Sequence, residues 1–218
     1  LVASMGVAVN AVLYPKLPYD TLKDLAPVTT LGEQPNIVVV HPFLSAKSIA
    51  ELVALAKAKP GQISYASGGI GSNTHLVTLL FLQMARVDML HVPYKGLGPA
   101  IADLVGGQVQ LAVSNVSTAL PHVKSGRLRL LAVTSAGRFP LFPDTPTVDE
   151  AGVKGYESSG WYGMWGTAGT PSSVLASLNQ QVTKILDAPA IKEQFSVQGL
   201  QPIPTSPEAF GKRLRILV

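Results

Sequence analysis

An α/β fold built on a doubly wound parallel sheet is the class that the 218-residue sequence predicts, on three observations. Strand-like and helix-like segments alternate with short connections along most of the chain. Hydrophobic residues make up 47% and charged residues only 14%, a balance suited to strands buried on both faces. Between Ile63 and Leu76 the chain reads as a strand, a glycine-rich turn and the first turn of a helix, the way such sheets build ligand sites at the carboxyl ends of their strands.

Each element has its own signal. Leu1 to Ser4 reads as a buried strand entered without an initiator Met or a secretory cleavage pattern, so the sequence is expected to be a fragment. Asn36 to Val40 is a β-branched run. Ser48-Ile49-Ala50-Glu51 is a capping box opening a helix with Ile49, Leu52, Val53, Leu55 and Ala56 on its apolar face, stopped by Pro60-Gly61. Ile63 to Ala66 is the next strand, and the helix after the glycine turn runs to about Arg86. Met89 to Val92, Val109 to Val113 and Leu128 to Thr134 are further strands, separated by helical segments at Ala100 to Val105 and Thr118 to Lys124. The proline-rich stretch Arg138 to Thr147 suits neither helix nor central strand and reads as a crossing between lobes. Trp161 to Gly166 resumes as a strand. Thr170-Pro171 is expected to cap a helix to about Leu186 with Val174, Leu178, Val182 and Ile185 on its apolar face, and Ser206-Pro207 opens a last one.

The glycine turn is the candidate site. Gly68, Gly69 and Gly71 permit a sharp reversal that presents backbone N–H groups outward, and the helix that follows turns its positive end toward the same point. Ser67, Ser72, Asn73 and Thr74 add short donors, and no acidic residue lies between Ala66 and Leu76 to oppose an anion. A carboxylate or phosphate fits these properties. The same residues also describe an ordinary N-capped βα turn.

Other chemistries find little support. His41, His75, His91 and His122 stand in four separate segments, without metal-ligand spacing, and cysteine is absent. No hydrolase elbow or Gly-Lys-Ser/Thr phosphate loop occurs. Gly69 and Gly71 supply two glycines of a dinucleotide fingerprint, but Thr74 stands where the third belongs, and Asp88 begins the next strand instead of ending it. A nucleotide-binding module and a doubly wound enzyme remain as alternatives, the latter needing a titratable pair beside Gly68. Seventeen Lys and Arg against thirteen Asp and Glu give a net charge of +4, but the basic residues are scattered, which argues against nucleic acid. No apolar run approaches the roughly 20 residues of a membrane span. No cofactor is expected.

Six motifs occur together and in order: Leu13-Tyr14-Pro15-Lys16-Leu17-Pro18-Tyr19-Asp20, Leu25-Ala26-Pro27-Val28-Thr29, Tyr65-Ala66-Ser67-Gly68-Gly69, His91-Val92-Pro93-Tyr94-Lys95-Gly96, Gly106-Gly107-Gln108-Val109-Gln110 and Pro143-Asp144-Thr145-Pro146-Thr147. They closely resemble the Bug family, the TctC-like extracytoplasmic solute receptors of tripartite tricarboxylate transporters. The resemblance implies a periplasmic binding protein of type II-like fold, two α/β lobes that close on a small carboxylic acid, without enzymatic activity. It also implies recognition by the transporter's membrane subunits, and the receptor is expected to be a monomer. The lobes would be 1–34 with 161–218 and an inserted 35–160, with hinge strands near 29–40 and 130–135. The first lobe would lack its amino-terminal strands, and with them stability and ligand grip.

Carried over by the resemblance, Ser67, Gly68, Gly69, Gly71, Ser72, Asn73, Thr74 and His75 form the inserted lobe's cradle. Ser114-Asn115 stand where the family usually has Asp-Asn, which favours a plain carboxylate over a ligand with an amino group. Ser4 and Asn10 would lie in or near the second ligand loop, with turn capping as the other role for Asn10. Tyr94 would face the cleft or pack under the Gly96 turn.

Overall fold

The computed structural model describes residues 1–14 and 16–218; Pro15, within the first of the six motifs, lies outside the described residues. The chain divides into two compact units, Leu1–Gln34 with Gly160–Val218 (unit 1) and Pro35–Ser159 (unit 2). In chain order the elements are β1 (Val2–Ser4), α1 (Gly6–Leu13), β2 (Leu25–Val40), α2 (Ile49–Ala58), β3 (Ser64–Ser67), α3 (Asn73–Ala85), β4 (Leu90–Pro93) and α4 (Leu97–Val105), then β5 (Leu111–Asn115), α5 (Val116–Lys124), β6 (Arg129–Val133), β7 (Ser159–Thr167), α6 (Ser172–Asp187), α7 (Pro189–Val197), β8 (Gln201–Pro202) and α8 (Pro207–Leu217).

Unit 2 holds a sheet of order β4-β3-β5-β2-β6. β3 runs parallel to β4 and β5, whereas β2, from Asn36 onward, is antiparallel to both β5 and β6. The sheet is therefore mixed, not the all-parallel sheet expected. A run such as Ile37-Val38-Val39-Val40 announces burial on both faces but carries no sign of its direction. Both faces are used. Val38 and Val40 join Leu111, Val113, Tyr65 and Phe81 in one apolar cluster, while Ile37 and Val39 join Ala112, Val133, Ile101 and Leu104 in the other. This alternation leaves the carboxyl ends of β3, β4, β5 and β6 on one edge of the sheet, with the loops that lead into the helices.

The proline-rich stretch does not cross between units. It lies within unit 2, held by buried Phe139, by Val133 N–H donating to the Pro146 carbonyl (3.0 Å), and by Arg138 pairing with Glu150 (2.9 Å). Residues 130–135, expected as a hinge, include β6 inside the same unit; the chain's second passage falls at Ser159–Gly160.

In unit 1, β1 is antiparallel to β7 and β8 is antiparallel to β2 at Gly32 and Glu33. The core here is small: Ala8, Trp161, Trp165, Phe210 and Leu214. Gly163 is required in it, because a Cβ at that position would overlap the Phe210 ring. A polar network ties β2 to the segment before α8: Thr29 Oγ1 donates to the Thr205 carbonyl (2.9 Å), Thr30 N–H donates to Thr205 Oγ1 (3.2 Å), and Thr30 Oγ1 bonds the Ile203 carbonyl. Three expectations fail. β1 is a strand but not a buried one, since among the described residues it pairs with β7 alone and leaves Leu1 and Val2 exposed. On α6, Val174, Leu178 and Ile185 face outward; Leu175, Asn179, Val182 and Leu186 make the inward face. Asn179 sets that rotation by donating its side-chain amide to the carbonyls of Val28 (2.9 Å) and Thr205 (2.7 Å). Pro171, not Thr170, holds the cap position of α6 and makes no side-chain cap bond.

Candidate anion site at the α3 turn

The glycine turn stands where the fold puts ligands, at the carboxyl end of β3. Gly69 has φ of +127° and Gly71 of +76°, and a Cβ on Gly69 would press within 3.1 Å of the Tyr94 carbonyl, so both positions need glycine. The β4 exit braces the turn: Tyr94 N–H donates to the Ser67 carbonyl and Gly96 N–H to the Gly68 carbonyl, each at 3.1 Å.

The glycine amides do not point outward as expected. Gly68 N–H donates to Thr74 Oγ1 (3.1 Å), Gly69 N–H to Ser67 Oγ (3.2 Å) and Gly71 N–H to His75 Nδ1 (3.1 Å). Side chains of the turn thus satisfy the half-buried amides of Gly68 and Gly69, which costs less than leaving them without partners, and His75 takes the exposed amide of Gly71. Ser72 caps α3 by accepting from His75 N–H (3.3 Å), and its own N–H donates to the Gly69 carbonyl (3.1 Å). Ile70, Asn73 and Thr74 keep N–H groups with no hydrogen-bond partner among the described residues. The Asn73 side chain is exposed beside them. These amides, with the positive end of a 13-residue helix, make a site for a single anionic group.

Two histidines from separate segments meet here. His75 stacks on His91 of β4 with ring centroids 4.1 Å apart and planes 13° apart, and His91 stacks in turn on Tyr65 at 4.8 Å. Burial, and then the charge of nearby His75, holds the His91 pKa below the usual histidine value. Its Nε2 lies 2.7 Å from Ser67 Oγ. Ser67 is fully buried, its hydroxyl also engages Gly69, and among the described residues no carboxylate bonds to His91, so the pair lacks the accessible hydroxyl and oriented base of a nucleophilic dyad. Among the described residues no group of three or more His, Cys, Asp or Glu is placed to hold a metal ion.

The other expected site residues are less uniform. Ser114 and Asn115 end β5 on the same sheet edge; Ser114 is buried and donates to the Asn115 carbonyl (3.0 Å), while Asn115 Oδ1 caps α5 through Thr118 N–H (3.1 Å). Tyr94 is half-buried and donates its hydroxyl to Asp103 Oδ2 (2.7 Å); burial, then this bond, pushes its pKa up to about 12. Ser4 ends β1, its Oγ accepting from Gly6 N–H (3.4 Å). Asn10 lies in neither a loop nor a turn cap but in the middle of α1, because Gly6 to Leu13, rich in Ala and Val, continues as helix under the tertiary packing of Ala8. Sequence reasoning missed His91, which the register Tyr65 to His91 in the parallel β3–β4 pair places beside the turn. It also missed Asn36, buried with its Nδ2 unpartnered and opposite Asn115 in the β2–β5 register. A lone Asn at the head of a β-branched run was the available signal.

A mixed open sheet with helix N-termini gathered at one edge makes this an open α/β fold, and the solved periplasmic proteins that it matches place it among periplasmic-binding-protein-like folds. The model of the tripartite tricarboxylate transporter family receptor (TctC) matches residues 1–212, and the chain belongs to that family. BugT of Bordetella pertussis is 36% identical over 206 residues, which is 94% of this chain and 63% of BugT, so the chain spans less than two thirds of that relative's length. Among solved structures, an R. palustris protein with adipate superposes with a TM-score of 0.87 at 33% identity, covering 99% of this chain and 73% of that one. MatC from Rhodopseudomonas palustris with bound malate gives 0.80 at 28% identity, over 99% and 75% of the two chains. The matched family is one of receptors, not enzymes. No helix among the described residues is long and apolar enough to cross a membrane.

Proposed function

We propose that this protein is a periplasmic receptor that captures a small carboxylic acid and presents it to the membrane subunits of a tripartite tricarboxylate-type transporter. One observation carries the reading: three N–H groups without a hydrogen-bond partner among the described residues, at Ile70, Asn73 and Thr74, lie within five residues at a helix N-terminus, in a segment with no acidic residue between Ala66 and Leu76, the arrangement a carboxylate needs. Family membership and the adipate and malate of the matched structures favour a carboxylate over a phosphate. In this reading units 1 and 2 are the two lobes of a monomeric receptor, and the passages at residues 34–35 and 159–160 carry the hinge. Ser114-Asn115, uncharged, fit a ligand without an amino group.

The test uses the N1 position of α3. Proline is well tolerated there and lacks the N–H, and Ser72 before it already has the extended backbone that proline demands (φ −65°, ψ 157°). Asn73→Pro in the complete protein is expected to keep its melting temperature and to weaken binding of adipate or malate, whichever binds, by about 10- to 100-fold, the worth of one hydrogen bond to a charged group. Asn73→Ala separates the side chain from the amide. Calorimetry showing no binding of either diacid by the wild type, or equal binding of the uncharged diamide of adipate, overturns the reading.

A further inference from the structure

The turn that supplies the anion site is held shut by a titratable group. His75 is the third residue of α3, and its Nδ1 accepts from Gly71 N–H at 3.1 Å while its own N–H donates to Ser72 Oγ. The pair of bonds resembles a capping box, with imidazole in the place of the usual carboxylate and its reach extended by one residue. Accepting at Nδ1 defines the neutral ring with its proton on Nε2.

We propose that carboxylate capture at this turn takes up one proton at His75, which releases Gly71 N–H from the ring and gives the anion both that amide and an imidazolium. The inference rests on the carboxylate-receptor reading. A proton from solvent goes to Nδ1; two donors then face each other, so the bond to Gly71 breaks and no other bond is altered. A bound carboxylate favours the step twice over: it offsets the imidazolium's charge at the positive end of α3, and it accepts from the Gly71 N–H that the ring releases. Proton and anion therefore favour each other, and linkage makes the effect reciprocal.

The proton belongs to His75 and not to its neighbour. His91 is engaged by Ser67 Oγ, and its burial and the charge on His75 both favour its neutral form. The titratable groups facing the pair are few. Tyr65 of β3 stacks on His91, Tyr94 and Asp103 satisfy each other across the β4 exit, and Lys95 at that exit is exposed. No Asp or Glu forms an ion pair with either histidine among the described residues.

Calorimetry of the complete protein with adipate and with malate, at pH 6, 7 and 8 and in buffers of different ionisation enthalpy, tests the coupling. Both acids stay largely ionised over this range, because free carboxyls titrate near pH 4 to 5. Binding is expected to tighten by about 3- to 30-fold from pH 8 to pH 6, within the limit of tenfold per pH unit that one coupled proton sets, with net proton uptake. His75→Asn keeps a short acceptor for Gly71 and cannot take the proton, so its pH profile becomes flat; His91→Asn keeps the slope. Without ligand, the Gly71 amide resonance is expected to titrate together with the His75 ring. Binding by the wild type that is independent of pH, or a His75→Asn variant with the wild-type slope, overturns the coupling and leaves the carboxylate reading standing. Absence of binding at every pH removes both.

Discussion

Unit 2 and unit 1 are made from similar residues but put them to different use. Unit 2 buries twenty apolar residues on one side of its sheet and thirteen on the other, from Val38 and Phe81 to Ile101 and Leu104. Among the described residues unit 1 gathers five in its cluster, with buried Val28 and Leu186 outside it, and its α6 and α7 leave Val174, Leu178, Ile185 and Val197 in contact with solvent. Hydrogen bonds add to this smaller core: the Thr29, Thr30 and Thr205 network and the two bonds from Asn179. The difference teaches where a rigid site can be built. The α3 turn stands on strands packed on both faces, so its geometry is over-determined.

The comparison can be broken most directly in the larger core. Phe81→Ala should cost about 3–5 kcal/mol in chemical denaturation and collapse hydrogen-exchange protection throughout β3 and β5; a loss confined to α3 would mean that unit 2 does not unfold as one. In the smaller core, Gly163→Ala should cost about 1–3 kcal/mol by displacing Phe210, with protection lost in β1 and β7 while β3 stays protected. Ser72→Ala removes the α3 cap and should cost about 1 kcal/mol, fraying the first turn of α3 without affecting unit 1.

Two finer measurements sharpen the contrast. His91 is harder to protonate in the folded protein than in the unfolded chain, so below the ordinary histidine pKa of about 6.5 the unfolded state binds more protons. Its contribution to stability is present above that pH and lost as pH falls through the depressed value; His91→Asn should remove this share of the acid-side decline in melting temperature. Smallest of all, Leu178→Ser on the outward face of α6 should change stability by less than about 0.5 kcal/mol, whereas Asn179→Ala, one residue on, should be clearly destabilising because the carbonyls of Val28 and Thr205 lose the amide that ties them together, Thr205 keeping only its bond from Thr29.

Several features were legible in the residues themselves because they are local. Ser48 to Glu51 and Ser206-Pro207 cap helices where their chemistry says they should, and both Gly69 and Gly71 adopt the positive φ that a sharp βα turn demands. Hydrophobic runs marked the strands of unit 2. Their direction was not readable, because Val38 and Val40 bury equally well either way. Nor was the rotation of α6, since Val174 and Leu178 form as good a stripe as Leu175 and Leu186 until Asn179 finds its two carbonyls.

The same division holds at the site. The sequence by itself determined that a glycine turn, free of acids and followed by a capped helix, stands after Tyr65-Ala66-Ser67, because backbone freedom and charge are properties of neighbouring residues. Tertiary structure decided what the turn's amides do. Parallel pairing of β3 with β4 brought His91 beside His75, and the fold set Thr74, Ser67 and His75 against the N–H groups of Gly68, Gly69 and Gly71. A hydrogen bond needs its partner within about 3 Å in a defined direction, and only the folded chain supplies that.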